Sequence, residues 1–464
     1  MIFSSIIFIF TFLPIVLAIY YISPKEFRNF ILLIASLVFY AWGEPIYIFL
    51  MIFTTIFNYL MSLWINIRKG KGKRTLLIIT IIVNLLILGY FKYCGFLIEI
   101  INNIFHVSIK YTQLALPIGI SFYTFQTLSY VVDVYLKKVK VQKNLIDFST
   151  YVTMFPQLVA GPIVKYSDIQ RQLKNREESF DNFGIGVEKF IIGLGKKVLL
   201  ANNIGMLWNT TQAQNLESIS VLTAWLGAIA YTMQIYFDFS GYSDMAVGLG
   251  RMFGFKFIRN FKYPYISKSV TEFWRRWHIS LSSWFKEYVY IPLGGNREGV
   301  LKQCRNLLIV WTLTGLWHGA SYNFVAWGLY YGVLLIFEKF IFERALNKLP
   351  VLIKKIYTMT IVIVGWVLFA APNLSWAVKY IKILFFIGKN KFIDGNFKYY
   401  LNNNFILLII LILASTPFLK NIFNSIKKSR GGYAISIIIQ CTLFILAIAY
   451  LLNASYNPFL YFRF

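Results

Sequence analysis

The stretch from Tyr231 to Tyr331 decides how this chain reads: YTMQIYFDFSGYSDMAVGLGRMFGF (231–255), a basic linker, TEFWRRWHISLSSWFKEYVYIPLGGNR (271–297), and LLIVWTLTGLWHGASYNFVAWGLYY (307–331). Two of the three histidines, His278 and His318, stand in it with Asp238, Asp244, Glu272, Arg275 and Arg276. The surrounding sequence is apolar enough to lie at bilayer depth, where an ionisable group costs roughly 2.5–3.5 kcal/mol on insertion, so their concentration here is a functional signal.

Outward from that block, 58% of the 464 residues are hydrophobic, 19% aromatic and only 14% charged. A water-soluble fold could not hide that much apolar surface, so the composition predicts an integral membrane protein with many spans. The net charge of +27 comes from short Lys/Arg clusters between apolar runs. That is the positive-inside pattern of membrane loops, not the basic face of a nucleic-acid binder. Cys94, Cys304 and Cys441 have no ligand-like spacing and suggest neither a metal site nor a disulfide framework. The run Met1–Tyr21 has no Lys or Arg before it and no small-residue cleavage site after it, so it reads as a first span rather than a signal peptide.

Apolar runs at 3–22, 30–48, 49–66, 75–92, 117–136, 352–371, 404–419 and 432–452 are near the ~20 residues that cross ~30 Å of hydrocarbon. Basic clusters follow the first, third and fifth runs (Lys25 and Arg28, Arg68–Arg74, Lys137–Lys143), which puts those loops in the cytoplasm and the N-terminus outside. YVTMFPQLVAGPIVKYSDIQ (151–170) is interrupted by Pro156 and Gly161-Pro162 and predicts a broken or re-entrant element. NNIGMLWNTTQAQNLESIS (202–220) reads as an external loop ahead of a long span ending at Arg251. Leu307–Phe337 is uncharged for 31 residues, too long for one span, and its glycines predict a break near Gly315–Gly319 with His318 at a helix end in a protein-lined cavity. The cluster Lys420–Arg430 returns the chain to the cytoplasm, so the tail NASYNPFLYFRF emerges outside. With no repeat and no soluble segment, the expectation is one all-α polytopic bundle over residues 1–464, of about 10–12 transmembrane helices plus re-entrant or interfacial ones.

Several side chains carry chemistry of two kinds. His318, between Trp317 and Gly319, can act as a base towards an incoming hydroxyl or serve as interhelical glue. His278 follows the i,i+4 pair Glu272–Arg276, whose plain role is a structural salt bridge. Asp238 and Asp244 lie six residues apart, on different helix faces, so they form no paired-carboxylate device. Asp238 with Gln234 and Tyr242 makes a polar stripe that could line an ion path, the one residue-level argument for a transporter. Gly294-Gly295 signals a turn; no Walker-type Lys-Ser/Thr follows it. Thr271–Tyr290, with its rings and cations, suits an interface or a cavity wall.

In order along the chain, LPIGISFYTFQTLSYVVDVY, LVAGPIVKYSDI, YFDFSGYSDMAVGLGRMFGF, YPYISKSVTEFWRRWHISLSSWFKEYVYIPLGGNR and LTGLWHGASYNFVAWGLYYG resemble the membrane-bound O-acyltransferase superfamily, within it the alginate O-acetyltransferase-like branch. The resemblance implies a helical bundle with a funnel or tunnel, an acyl donor from the cytoplasm and a hydroxyl acceptor on the outer side of a bacterial cell membrane. It places the family histidine at His318 and its second motif residue at His278. Two positions depart from the family pattern: Lys165 stands where Arg is usual, and Ala370 where relatives often carry Arg.

From this follow the expected roles: His318 as base with His278 supporting it, and Arg275, Arg276, Lys286, Lys165 and Asp238 as donor or substrate contacts. No tightly bound cofactor or metal is expected, only an acyl thioester, acetyl-CoA or an acylated carrier, as co-substrate. A cell-envelope polysaccharide is the expected acceptor, with an extracytoplasmic acyltransferase as a further partner. Tyr461, in the aromatic tail, is either an interfacial anchor or, as the resemblance implies, a transient acyl carrier. The alternatives are D-alanyl transfer to teichoic acid, whose enzymes usually lack the YIPLGGNR element, and a polysaccharide or lipid transporter.

Overall fold

The computed structural model describes residues 1–464 apart from Gln113, Ala160 and 454–464, and the described residues form helices and connecting loops with no strand. They cluster into two compact units, Met1–Phe190 with Ser243–Ile258, and Ile191–Tyr242 with Arg259–Phe464.

The first unit holds α1 (Phe8–Ile22), α2 (Arg28–Ala41), α3 (Ile48–Ile67), α4 (Gly70–Phe105), α5 (Ile120–Tyr135), α6 (Leu145–Thr153) and α7 (Tyr166–Lys174). Polar side chains tie its apolar helices together. Asn58 of α3 and Asn84 of α4 exchange amide hydrogen bonds of 3.0 and 2.9 Å, and Ser36 Oγ of α2 accepts the backbone N–H of Phe155 at 3.0 Å. Within the hydrocarbon such bonds replace water that is not there. The interrupted element is present: α6 stops at Thr153, a single turn follows over Phe155–Leu158, and α7 starts only at Tyr166.

Two expectations are corrected. The basic cluster 68–74 is mostly helix: α4 starts at Gly70, and at 36 residues it is about 54 Å long, well beyond the hydrocarbon thickness. One of its cations has a partner there. Lys73 donates to the Tyr135 carbonyl at 2.6 Å, at the C-terminal end of α5, where a helix favours positive charge. The segment 202–220 is likewise half helix. The apolar helix Phe180–Gln212 (α8) runs on through it with a π turn over Lys196–Ala201, leaving only 213–220 as loop. Asn202, Ile204, Leu207, Trp208 and Thr211 are all buried, a helical spacing that the Asn and Thr content hid from a hydropathy reading.

Next come α9 (Val221–Met252), α10 (Val270–Arg276), α11 (Ile279–Phe285), α12 (Val300–His318), α13 (Tyr322–Lys348, with a π turn at Glu338–Phe342), α14 (Val351–Ala370), α15 (Leu374–Leu384), α16 (Gly395–Ala414), α17 (Phe418–Lys428) and α18 (Gly432–Asn453). The 31-residue uncharged run breaks where its glycines indicated: α12 ends at His318 and α13 begins at Tyr322. The two helices touch at glycine: a Cβ on Gly315 would overlap the Phe324 carbonyl oxygen, and one on Gly328 the Trp311 carbonyl oxygen. Only glycine permits that approach.

Among the described residues, seven helices are long and apolar enough to span a membrane, and the shorter α1 is apolar as well. The all-α polytopic expectation holds. The orientation drawn from the basic loops has its own test. In a background lacking the three cysteines, Lys71→Cys is expected to resist an impermeant thiol reagent in whole cells, and Glu217→Cys, exposed in the 213–220 loop, to react. Labelling of Lys71→Cys with protection of Glu217→Cys would invert the bundle.

Candidate active site

The site is assembled in the second unit from two helix ends. Helix α10 delivers the first: it stops at Arg276, Trp277 is extended, and His278 takes a left-handed backbone (φ 43°) before α11 starts. That conformation is costly for a residue with a side chain and persists only where the surroundings impose it. Asn260 does so here. Its side-chain oxygen accepts the N–H of Ser280 at 3.0 Å and the Ser280 hydroxyl at 2.9 Å, and its carbonyl accepts the N–H of Ile279 at 3.0 Å. Burial lowers the His278 imidazole to about 4, so it is neutral at physiological pH, and its Nδ1 has no hydrogen-bond partner among the described residues.

The second helix end is that of α12. His318 is its last residue, Gly319 continues in extended backbone, and the imidazole is buried among ring edges: Trp317 at 4.8 Å, Trp327 at 5.2 Å and Phe369 at 5.1 Å between centroids. Trp317 also stands 5.9 Å from the ring of His278, so one indole neighbours both imidazoles. Asn323, at the start of α13, donates to the carbonyl of Ala371 at 2.6 Å and fixes the outgoing chain against the end of α14.

Both histidines line one cavity of 690 Å³, whose wall also includes Arg275, Lys286, Trp274 and Trp311. The wall is held by aromatic packing: Trp274 lies 4.6 Å from Trp311 and 4.8 Å from Tyr331, and Trp277 lies 4.7 Å from Trp366. Such close ring pairs, the two at Trp274 edge-to-face and Trp277–Trp366 tilted, fix geometry while keeping the interior apolar.

The other sequence candidates fall elsewhere. Arg276 does not line the cavity. It pairs with Glu272 at 2.7 Å, the i,i+4 bridge the spacing indicated, and donates to the Lys262 carbonyl at 3.1 Å. Asp238 is also absent from the cavity wall and forms a buried ion pair with Lys197 at 2.5 Å. Lys165 belongs to the first unit, where it is the extended residue just before α7. Tyr461 lies outside the described residues. Gly294 and Gly295 both have positive φ, as a tight turn requires. Sequence reading passed over Asn260, Trp317, Asn323 and Lys197. Only Lys197, one of the cations inside a helix apolar enough to span a membrane, carried a signal that could have been read.

The two-histidine cavity therefore brings together the motifs FWRRWH and LTGLWHG. The family model of MBOAT, the membrane-bound O-acyltransferase family, matches residues 138–376, which contain both. The chain belongs to the membrane-bound O-acyltransferase family. It is 45% identical over 398 residues to the probable alginate O-acetylase AlgI of Pseudomonas aeruginosa, covering 84% of this chain and 75% of the relative. The probable alginate O-acetylase AlgI of Pseudomonas putida is 40% identical over the full length of both chains. The peptidoglycan O-acetyltransferase of Helicobacter pylori is 35% identical over 419 residues, covering 82% of this chain and 79% of the relative. This membrane-bound O-acyltransferase is thus a multi-pass membrane protein of an acyl-transferring family.

Proposed function

We propose that this acyltransferase carries an acetyl group from a cytoplasmic thioester, acetyl-CoA or an acylated carrier, to hydroxyls of an exported cell-envelope polysaccharide. The observation that carries the reading is one largely apolar cavity lined by His278 and His318 and also by the cations Arg275 and Lys286. A thioester is already activated, so catalysis consists mainly of bringing the acceptor oxygen to the carbonyl carbon away from water. The acceptor oxygen adds to that carbon and its proton passes to His318. The C–S bond then breaks, and the departing thiolate takes the proton. Arg275 and Lys286 suit the phosphates that both kinds of donor carry. No tightly bound cofactor enters, since the reaction needs only a base and an oriented donor.

An extracytoplasmic acyltransferase partner would complete delivery to the polymer, and Tyr461 would be the relay, its phenol oxygen accepting the acetyl group and passing it on. The test uses membrane vesicles of defined sidedness and labelled acetyl-CoA, with Tyr461→Phe beside the wild type. Label is expected in alkali-labile esters of the polymer only when acetyl-CoA reaches the cytoplasmic face, and Tyr461→Phe is expected to stop transfer. Labelling from the outer face would overturn the donor side. Transfer at wild-type rate by Tyr461→Phe would leave that tyrosine as an interfacial anchor.

A further inference from the structure

Glu338 is a buried carboxylate in the middle of an apolar helix, 4% exposed, at the point where α13 widens into a π turn. Its bonds reach 67 and 68 residues back along the chain: it accepts the N–H of Val270 at 2.8 Å, the N–H of Thr271 at 2.9 Å and the Thr271 hydroxyl at 2.6 Å. Val270 and Thr271 are the first two residues of α10. The remaining donors of that terminus are also accounted for: Ser269 Oγ accepts from Glu272 N at 2.9 Å and the Ser269 carbonyl from Phe273 N at 3.0 Å. A helix of seven residues has little stability of its own. An anion accepting two N–H groups at its start both stabilises and anchors it.

The anchorage has a direction. Helix α13 starts four residues after His318 and carries Glu338 farther along, at its π turn; α10 starts at the Glu338 carboxylate and ends two residues before His278. Each histidine thus stands within four residues of one end of a helix that is tied at Glu338. Along the way Trp274 of α10 packs 5.5 Å from Trp327 and 4.8 Å from Tyr331, both on α13. Glu338, Thr271 and Arg275 all line the same cavity as the histidines. We infer that Glu338 is a positioning residue: its carboxylate sets the register of α10 on α13 and so fixes His278 and Arg275 relative to His318 for acetyl transfer. The inference rests on the two-histidine cavity being the reaction site.

The test measures polymer acetyl esters per molecule of folded enzyme in the membrane. Hydrogen bonds to a charged group are strong, so Glu338→Ala is expected to lower this specific activity by about tenfold or more. Glu338→Gln, whose amide oxygen still accepts from Thr271, is expected to recover part of the loss. Thr271→Val is expected to cost about threefold in the wild type and nothing further on top of Glu338→Ala, because the two groups act through one contact. Gln as inactive as Ala would mean that the negative charge itself acts, and additive losses would mean that the contact does not; either overturns the inference. So does unchanged specific activity with reduced accumulation, which is a purely structural role. Should Glu338→Ala not accumulate, the same cycle is run with Glu338→Gln and Thr271→Val. His318→Ala runs alongside: if it stays active the cavity is not the site, whereas an inactive His318→Ala with fully active Glu338 variants rejects only the positioning role.

Discussion

His318→Ala is expected to bring the acetyl ester content of the polymer down to that of a strain lacking the enzyme, while the protein still inserts and accumulates. Removing a positioned base costs about 10²–10⁴-fold in rate. The imidazole also fills space: it meets Trp317, Trp327 and Phe369 edge-on at 4.8 to 5.2 Å, so alanine leaves a void beside the reacting atoms. His318→Gln is the matched control, since it keeps bulk and hydrogen bonding while removing the base. Both variants are expected to be inactive at wild-type abundance. Normal ester content in either would take His318 out of the mechanism. His278→Ala is expected to leave measurable activity, because the proposed base is His318 and His278 is proposed only to support it.

How much of this could be read beforehand differs between the elements and the contacts. The helix break at His318 was legible, because an uncharged run longer than one span with glycines in its middle has few other ways to fold. So was the cavity wall at Thr271–Tyr290, where rings and cations alternate too closely for lipid contact. Helix Phe180–Gln212 was not. Lys189, Lys196 and Lys197 interrupt its hydropathy, and the Asn and Thr residues after them resemble a loop, yet Lys197, Asn202 and Thr211 are all buried. Arg275 and Arg276 show the same limit on a smaller scale. Adjacent residues on a helix point about 100° apart, so one faces the cavity and the other Glu272, and no composition argument chooses between them. Glu338 was invisible because its partners lie 67 and 68 residues away, and that contact exists only once α10 has docked on α13.

Asp238 supplied the argument for a transporter, and its partner yields the second large effect. Lys197 and Asp238 are 2% and 1% exposed and 2.5 Å apart, joining the π turn of α8 to the middle of α9. The helices can come that close because Gly241 has no side chain: a Cβ there would lie 2.7 Å from the Gly193 carbonyl oxygen and 3.0 Å from the Lys197 nitrogen. Taking one member away strands a charge in a low-dielectric interior, which costs about 3–5 kcal/mol, whereas replacing both with apolar residues of similar volume is often neutral. Lys197→Met and Asp238→Leu are therefore each expected to accumulate poorly and to lose ester formation in proportion. The double variant Lys197→Met/Asp238→Leu is expected to regain both abundance and acetylation. An ion or proton path would behave differently, because titratable groups that carry charge through a membrane cannot be exchanged for methionine and leucine. A double variant that accumulates normally but forms no ester would give the pair a part in function. Recovery of both makes it a strut that holds α8 against α9 and leaves the chemistry to the two-histidine cavity.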